Sequence, residues 1–297
     1  TPFTIWDEAR FTSDGGQLQL RNYRSISYHR STDLLWEDSV NYPQEALLSP
    51  DFSLYANRSS EYEILISKMR TNKTVSRLQS ADTPMAFSPI LNQFATIHFE
   101  PDTELRTIEI WNLESRKIHR TLEFPFPDNN RGIREVIFSP DGTLVALISW
   151  AGEERGDILL YNVMTGMVVE DFGINWTPII AISSNGKMMV AECPWDEMGV
   201  LCMYDIDTGE KKIAYSADGS DFGRWTSLQI SPNDGLVACG TSLGKIFLWD
   251  TTNGNLIRIA KGHNRAVTDL SFSPDGNRLA SASTDGSVVV WDLDLLY

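Results

Sequence analysis

The sequence predicts an all-β fold, a β-propeller of seven four-stranded antiparallel blades, and three observations predict it. An apolar run ending in Ser-Pro, or a close variant, recurs along the 297 residues. Its spacing matches the ~40–45 residues of a four-stranded blade. Between copies the chain reads as short runs rich in Val, Ile, Leu and Phe, parted by Gly and Asn turns, and no ten-residue segment sustains a helical period.

Taken in order, a degenerate first copy, Phe11-Thr12-Ser13-Asp14-Gly15, is followed by Leu47-Leu48-Ser49-Pro50 and Ala86-Phe87-Ser88-Pro89. Ile137-Phe138-Ser139-Pro140, Ala181-Ile182-Ser183-Ser184, Gln229-Ile230-Ser231-Pro232 and Ser271-Phe272-Ser273-Pro274 complete the series. From Ser49 to Ser273 the five intervals are 39, 51, 44, 48 and 42 residues. Blades are therefore expected at about 7–40, 41–80, 81–124, 125–173, 174–219, 220–261 and 262–297, one propeller over residues 1–297. The sixth shows its strands plainly: Thr226–Ser231, Leu236–Thr241, Lys245–Asp250 and Leu256–Lys261, joined by turns whose Gly and Asn accept positive φ. The seventh stops after a third strand, and residues 2–6 are expected to supply its fourth, removing an open sheet edge.

The last unit carries Gly262-His263, Ser273-Pro274-Asp275-Gly276, Leu279-Ala280-Ser281-Ala282-Ser283, Asp285-Gly286 and Trp291-Asp292, and it resembles a WD-repeat. Trp249-Asp250 repeats the closing dipeptide, and Trp111-Asn112, Tyr161-Asn162 and Tyr204-Asp205 are degenerate versions. The resemblance implies a buried hydrogen-bonded chain through His263, Ser281 or Ser283, Asp285 and Trp291, each polar group satisfied by the next. Only the seventh blade has the full set; the others are expected to rest on apolar packing.

Composition narrows the function. With 40 Asp+Glu against 25 Lys+Arg and a net charge of −15, the chain lacks the basic balance that nucleic acid or an anionic membrane requires. No apolar stretch approaches the ~20 residues of a membrane span. Cys193, Cys202 and Cys239 are odd in number and lack metal-ligand spacing, which points to a cytoplasmic protein with free thiols; a Cys193–Cys202 bridge across a hairpin is the alternative. His29, His98, His119 and His263 fall at no metal-binding spacing, and no nucleophile elbow or phosphate loop occurs. No catalytic residue, metal or cofactor is expected.

The expected function is a non-catalytic protein-interaction platform, monomeric as an isolated unit and a candidate module of a larger signalling protein. A propeller enzyme or small-molecule binder using the central channel is the alternative. The resemblance implies contact positions on one rim, in the loops joining strands d to a and b to c. They are Thr268, Ala266 and Thr284 in the seventh blade, Thr226, Arg224 and Ser242 in the sixth, and Pro178 and Trp176 in the fifth. The fourth, third and second blades give Arg134 and Gly132, Thr83 and Ala81, Gln44 and Tyr42. Trp176, Arg224, Arg134 and Tyr42 are the anchor types among them, and Trp195 joins them from a long b–c loop. Acidic neighbours such as Asp171, Asp196, Glu197, Asp218 and Asp221 favour a partner segment carrying Lys or Arg. Trp225, Trp111, Trp249 and Trp291 are expected in the core, and Trp150 at the end of a strand b.

Overall fold

The computed structural model describes residues 7–22, 25–30, 36–43, 46–60, 63–79, 83–90, 92–100, 105–124, 131–151, 155–174, 179–193, 199–217 and 223–294. Residues 2–6, on which the closing-strand expectation falls, lie outside them. All regular structure among the described residues is β, 27 strands in seven antiparallel sheets, each with its strands side by side in sequence order. This is a seven-bladed β-propeller.

Blade 1 is β1 (Glu8–Phe11), β2 (Gln17–Arg21), β3 (Ser25–Arg30) and β4 (Trp36–Asn41). Blade 2 is β5 (Leu47–Leu48), β6 (Leu54–Ser60), β7 (Glu63–Lys68) and β8 (Thr74–Gln79). Blade 3 is β9 (Thr83–Phe87), β10 (Gln93–Glu100), β11 (Leu105–Asn112) and β12 (Lys117–Glu123). Blade 4 is β13 (Arg131–Phe138), β14 (Leu144–Ala151), β15 (Arg155–Asn162) and β16 (Val168–Ile174). Blade 5 is β17 (Ile180–Ile182), β18 (Met188–Glu192), β19 (Val200–Asp205) and β20 (Lys211–Ser216). Blade 6 is β21 (Trp225–Ile230), β22 (Leu236–Thr241), β23 (Lys245–Asp250) and β24 (Leu256–Lys261). Blade 7 has β25 (Val267–Phe272), β26 (Arg278–Ser283) and β27 (Val288–Asp292) among the described residues.

The repeated serine has a physical job. In the first hairpin of a blade, its buried hydroxyl donates to the Asp or Asn two residues on and accepts the N–H five residues on. Ser139 gives 2.5 Å to Asp141 Oδ1 and 2.9 Å from the Leu144 N–H; Ser273 gives 2.5 Å to Asp275 and 2.9 Å from Arg278. Ser49, Ser183 and Ser231 repeat the clip with Asp51, Asn185 and Asn233, and in the degenerate first copy Thr12 makes it with Asp14. The turn between demands positive φ, which Gly276 adopts at 76°. In these six blades the first hairpin thereby satisfies the hydroxyl it encloses; blade 3 has Ile90 two residues after Ser88 and so no Asx for the clip.

Packing divides the chain into two compact units, Tyr42–Pro178, and Thr1–Asn41 with Ile179–Tyr297. In the first, Ile64, Ile66 and Leu78 of blade 2 meet Phe94 and Trp111 of blade 3, and Ile108, Ile110 and Leu122 of blade 3 meet Val145, Leu147 and Tyr161 of blade 4. In the second, Leu201, Met203 and Tyr215 of blade 5 meet Trp225, Phe247 and Trp249 of blade 6, and Ile246 and Leu248 of blade 6 meet Leu270 and Leu279 of blade 7. The expected core positions of Trp225, Trp111 and Trp249 are thus observed, while Trp291 is only partly buried.

Within that second unit the first and last blades join. Ala9, Phe11, Leu18 and Leu20 pack on Ala280 and Ala282, and the Ala9 N–H donates to Asp269 Oδ2 at 3.0 Å. Residue Asp269 keeps some exposed surface, yet its carboxyl is enclosed, and burial pushes it up to about 7 against the opposing pull of Arg10; Glu8 adds to the rise. Glu8 is itself paired with Arg10 at 3.1 Å and with Arg21. A carboxyl held above its unfolded value favours the folded state at low pH and withholds that stability as pH rises through 7. Asp269→Asn, which keeps an acceptor for Ala9 but cannot ionise, should therefore gain on the parent in thermal unfolding between pH 5 and 8. A difference that does not change with pH would show that Asp269 titrates as an ordinary carboxyl.

One expectation is corrected. Cys193 and Cys202 are joined as a disulfide across β18 and β19, not left as two free thiols. The reason is geometric: Ala191 faces Cys202 in the register and the Cys193 N–H bonds Val200 O, which sets the two Cα atoms 5.1 Å apart, within bridging reach. Cys239 remains a free thiol, and burial pushes its pKa up, leaving it an apolar core residue.

Candidate functional site

In three blades an expected rim position falls on a local irregularity in strand a, whereas in blade 3 the irregularity falls at Met85 and the expected Thr83 pairs with Ile97. In β21 the pairing runs Trp225 to Thr241, then Ser227 to Gly240, so Thr226 is an extra, unpaired residue. In β25 the same step leaves out Thr268, between Val267 and Asp269, and in β13 it leaves out Arg134, between Ile133 and Glu135. These are the strand-start contact positions expected in blades 7, 6 and 4. A β-bulge bends the strand and re-aims the extra side chain away from the ladder.

Arg134 is exposed, and Thr226 and Thr268 are half-buried. Thr226 Oγ1 is enclosed without a hydrogen-bond partner. Just before it, Arg224 is exposed and its N–H donates to Ser242 Oγ at 2.9 Å. Beside Arg224, burial raises the Glu192 carboxyl above its usual range while the guanidinium pulls it back. Thr284 is half-buried, its hydroxyl 3.4 Å from Ala266 O. Thr83 is exposed in blade 3.

Tyr42 departs from its expected place: it is buried at 8% exposure, its ring drawn into the interior instead of standing on the rim. Trp176, Trp195, Pro178, Ala81 and Gln44 lie outside the described residues, as do Asp196, Glu197, Asp218 and Asp221. Asp171 is exposed. Among the described residues no group of three or more His, Cys, Asp or Glu is placed to hold a metal.

The blade 7 network is built, in a different order from the one expected. Trp291 Nε1 donates to Ser281 Oγ at 2.9 Å, and Ser281 meets His263 Nε2 at 2.7 Å. On the other ring nitrogen, Nδ1 lies 2.9 Å from Ser287 Oγ, which donates to Asp285 Oδ1 at 2.5 Å. Because the Ser287 proton is committed to Asp285, the ring proton sits on Nδ1 and Nε2 accepts from Ser281. The expected direct His263–Asp285 link is thus relayed through Ser287, the direct separation being 3.4 Å. Ser283, the alternative hydroxyl, caps the turn by accepting the Asp285 N–H at 3.1 Å. Ser287 was missed; its signal in the sequence is a hydroxyl directly after Asp285-Gly286.

Burial lowers the His263 pKa below 6.5 despite Asp285, so the ring is neutral at pH 7. Burial also opposes ionisation of Asp285, but bonds from Ser287 and the Asn264 N–H outweigh it and hold the carboxyl at about 2. Both ring nitrogens are thereby satisfied, as an ordered buried chain requires.

Blade 6 shows what the motif does when its polar residues are lost. Ser242 N–H bonds Arg224 O, and Gly244 N–H bonds Thr241 O, as Thr284 bonds Ala266 and Gly286 bonds Ser283 in blade 7. Leu243 therefore occupies the place of Asp285, and it is 47% exposed. Cys239 likewise occupies the place of Ser281. The rim of blade 6 thus offers an apolar side chain and a guanidinium together.

Comparison with known proteins agrees with this architecture. The family model for "WD domain, G-beta repeat" matches residues 254–292. The chain is 40% identical over 169 residues to WD repeat and SOCS box-containing protein 1 of Xenopus tropicalis, covering 53% of this chain and 38% of that protein. It is 26% identical over 204 residues to autophagy-related protein 16 of Arabidopsis thaliana, with coverages of 68% and 38%. To human protein NEDD1 it is 22% identical over 304 residues, with coverages of 98% and 42%. The chain spans about two fifths of the length of these relatives. Among solved structures, Kuenenia stuttgartiensis hydrazine synthase is similar with a TM-score of 0.72 at 15% identity, covering 98% of this chain and 96% of that one, a likeness of fold alone. The matched repeat, the relatives and the seven blades together support a WD-repeat β-propeller family.

Proposed function

We propose that this propeller is a non-catalytic platform that binds a protein or peptide segment on the rim carrying Arg224, Thr226, Thr268 and Thr284. The observation that carries the reading is the bulge: Thr226 and Thr268 are the extra residues at the same step of two neighbouring strands. Bulges recur where a strand must aim a side chain instead of pairing it. Exposed Leu243 and Arg224 support it, since a partly exposed apolar chain beside a guanidinium offers both area and directed donors. The net charge of −15 supports a partner segment carrying Lys or Arg, steered by the overall field.

The double variant Arg224→Glu, Leu243→Ser tests the rim. Affinity capture with the parent chain, followed by identification of what is bound, should yield a protein that the variant fails to retain, at an unchanged unfolding temperature. Equal capture by both would move the interface off blade 6.

A further inference from the structure

We propose that the Cys193–Cys202 disulfide is a thiol-controlled switch beside the rim. Closed, it keeps Glu192 in place next to Arg224; opened by a low-molecular-weight thiol such as glutathione, it lets both side chains loosen. The consequence for binding rests on the rim reading above, while the switch itself does not.

Position sets this bridge apart. By register Cys193 stands where blade 6 has Thr241 and blade 7 has Ser283, four residues after Met189, Val237 and Leu279, which face Tyr204, Trp249 and Trp291. In those two blades this end of strand b is paired to strand a, Thr241 with Trp225 and Ser283 with Val267. In blade 5, among the described residues, the pairing with β17 stops at Ile180 and Ala191, so Glu192 and Cys193 have no ladder partner on that side. Cys193 is held instead by its N–H on Val200 O, at 2.9 Å, and by the bridge.

Opening the bridge has a defined reach. Cys202 pairs with Ala191 and Glu192 with Leu201, so alternation puts the bridge on one face of the hairpin. Glu192 lies on the other face with Leu201 and Met203, toward blade 6, within the pull of the Arg224 guanidinium. The bridge spans nine residues, so the freed segment is short. Leu201, Met203 and Tyr215 stay packed on Trp225 and Trp249, and the blade survives the opening.

In the reducing compartment expected from the cysteine count, a protein disulfide is as a rule transient and regulatory. Cys193 keeps 6% of its surface exposed and Cys202 none, so Cys193 Sγ is the sulfur within reach. A glutathione thiolate attacks it and forms a mixed disulfide, and the Cys193–Cys202 bond breaks with its electron pair leaving on Cys202 Sγ, which takes a proton. A second glutathione thiolate attacks the glutathione sulfur of the mixed disulfide and frees Cys193, which is protonated in turn. The protein disulfide thus gains two electrons and two protons while two glutathione thiols become one glutathione disulfide, and excess glutathione disulfide reverses the exchange. Cys239 does not interfere: it is fully buried in blade 6, and burial keeps its thiol protonated.

The test treats the folded chain with millimolar glutathione and then with glutathione disulfide. Thiols counted by maleimide labelling and mass spectrometry after denaturation should rise from one to three and return to one. In the reduced chain, hydrogen exchange at the Cys193 amide should speed up at least tenfold and stay unchanged over Val267–Phe272, and the arginine reagent phenylglyoxal should modify Arg224 at least twice as fast. Cys193→Ser with Cys202→Ala should show the fast exchange without glutathione and no response to it. Glu192→Gln should remove the difference in Arg224 reactivity while the thiol count still changes. A protein captured through the rim should be retained about fivefold less by the reduced chain, the cost of re-ordering a long side chain on binding. A bridge that opens only in denaturant, or one that opens with exchange and Arg224 reactivity unchanged, would overturn the switch. Unchanged capture alongside a changed Arg224 reactivity would leave the switch standing and overturn the rim reading.

Discussion

Trp249→Ala is expected to destabilise the protein by about 3–5 kcal/mol, the range for removing a large aromatic from a packed interior. Its side chain is fully buried, with ring centroids of Phe247, Tyr215 and Trp225 at 5.5, 5.7 and 5.8 Å. The indole N–H contributes little, since its acceptor, Ser216 O, is 3.4 Å away and Cys239 stands where blade 7 has Ser281. Trp249→Phe should accordingly recover most of the loss. Urea unfolding measures both, and a Phe variant as unstable as the Ala variant would mean that the N–H, not the ring, is what blade 6 needs.

In blade 7 the balance is reversed. Asp285→Ala should cost about 1–3 kcal/mol, the usual penalty for stranding enclosed donors. The Ser287 hydroxyl, at 2.5 Å, and the N–H groups of Ser287 and Asn264, both at 2.8 Å, all lose their acceptor. Acid should imitate the substitution. His263 is held below its ordinary value, so stability present above pH 6.5 begins to fall as the ring is driven to protonate. Asp285, held at about 2, adds stability that is complete above about pH 4 and drains away as pH falls toward 2. In the Ala variant the melting temperature should therefore decline less steeply below pH 4 than in the parent. Identical melting curves for parent and variant at pH 7 would show that the network does not contribute to stability.

The blades were legible in the sequence because the Ser-Asx clip is local: donor and acceptor lie within five residues, as from Ser139 to Leu144, and tertiary context cannot change the pattern. Blade 1 was readable for the same reason, since Thr12 and Asp14 retain the chemistry with other letters. The order of the polar chain in blade 7 was only half legible. Motif spacing named His263, Ser281, Asp285 and Trp291, but Ser287 enters through the fold of the turn. Blade 3 kept a piece unseen, the Trp111 N–H bonded to Thr96 Oγ1 at 3.0 Å, because the pairing spans two strands with no dipeptide to mark it. Tyr42 failed as a rim residue because its ring had a burial alternative that spacing alone does not weigh. The bulges at Thr226, Thr268 and Arg134 leave no mark in the residue types at all, and motif spacing marked these positions without showing the irregularity there.

The self-contained hairpin clip also bears on how such a chain assembles without error. Strands of five or six residues hold their alignment weakly, and a slip by one position would turn every inward side chain outward. In the six blades that have it, the clip acts as an alignment pin in the first hairpin: only one offset lets the Ser231 hydroxyl reach both Asn233 and the Leu236 N–H, at 2.6 and 2.9 Å. Since each pin closes over a few residues, it is set before any neighbouring blade has arrived, and a mistake in one hairpin is not copied into the next. Sequence drift elsewhere in a blade then changes its surface without changing its offset, which is why copies as unlike as the first and the seventh can share one architecture.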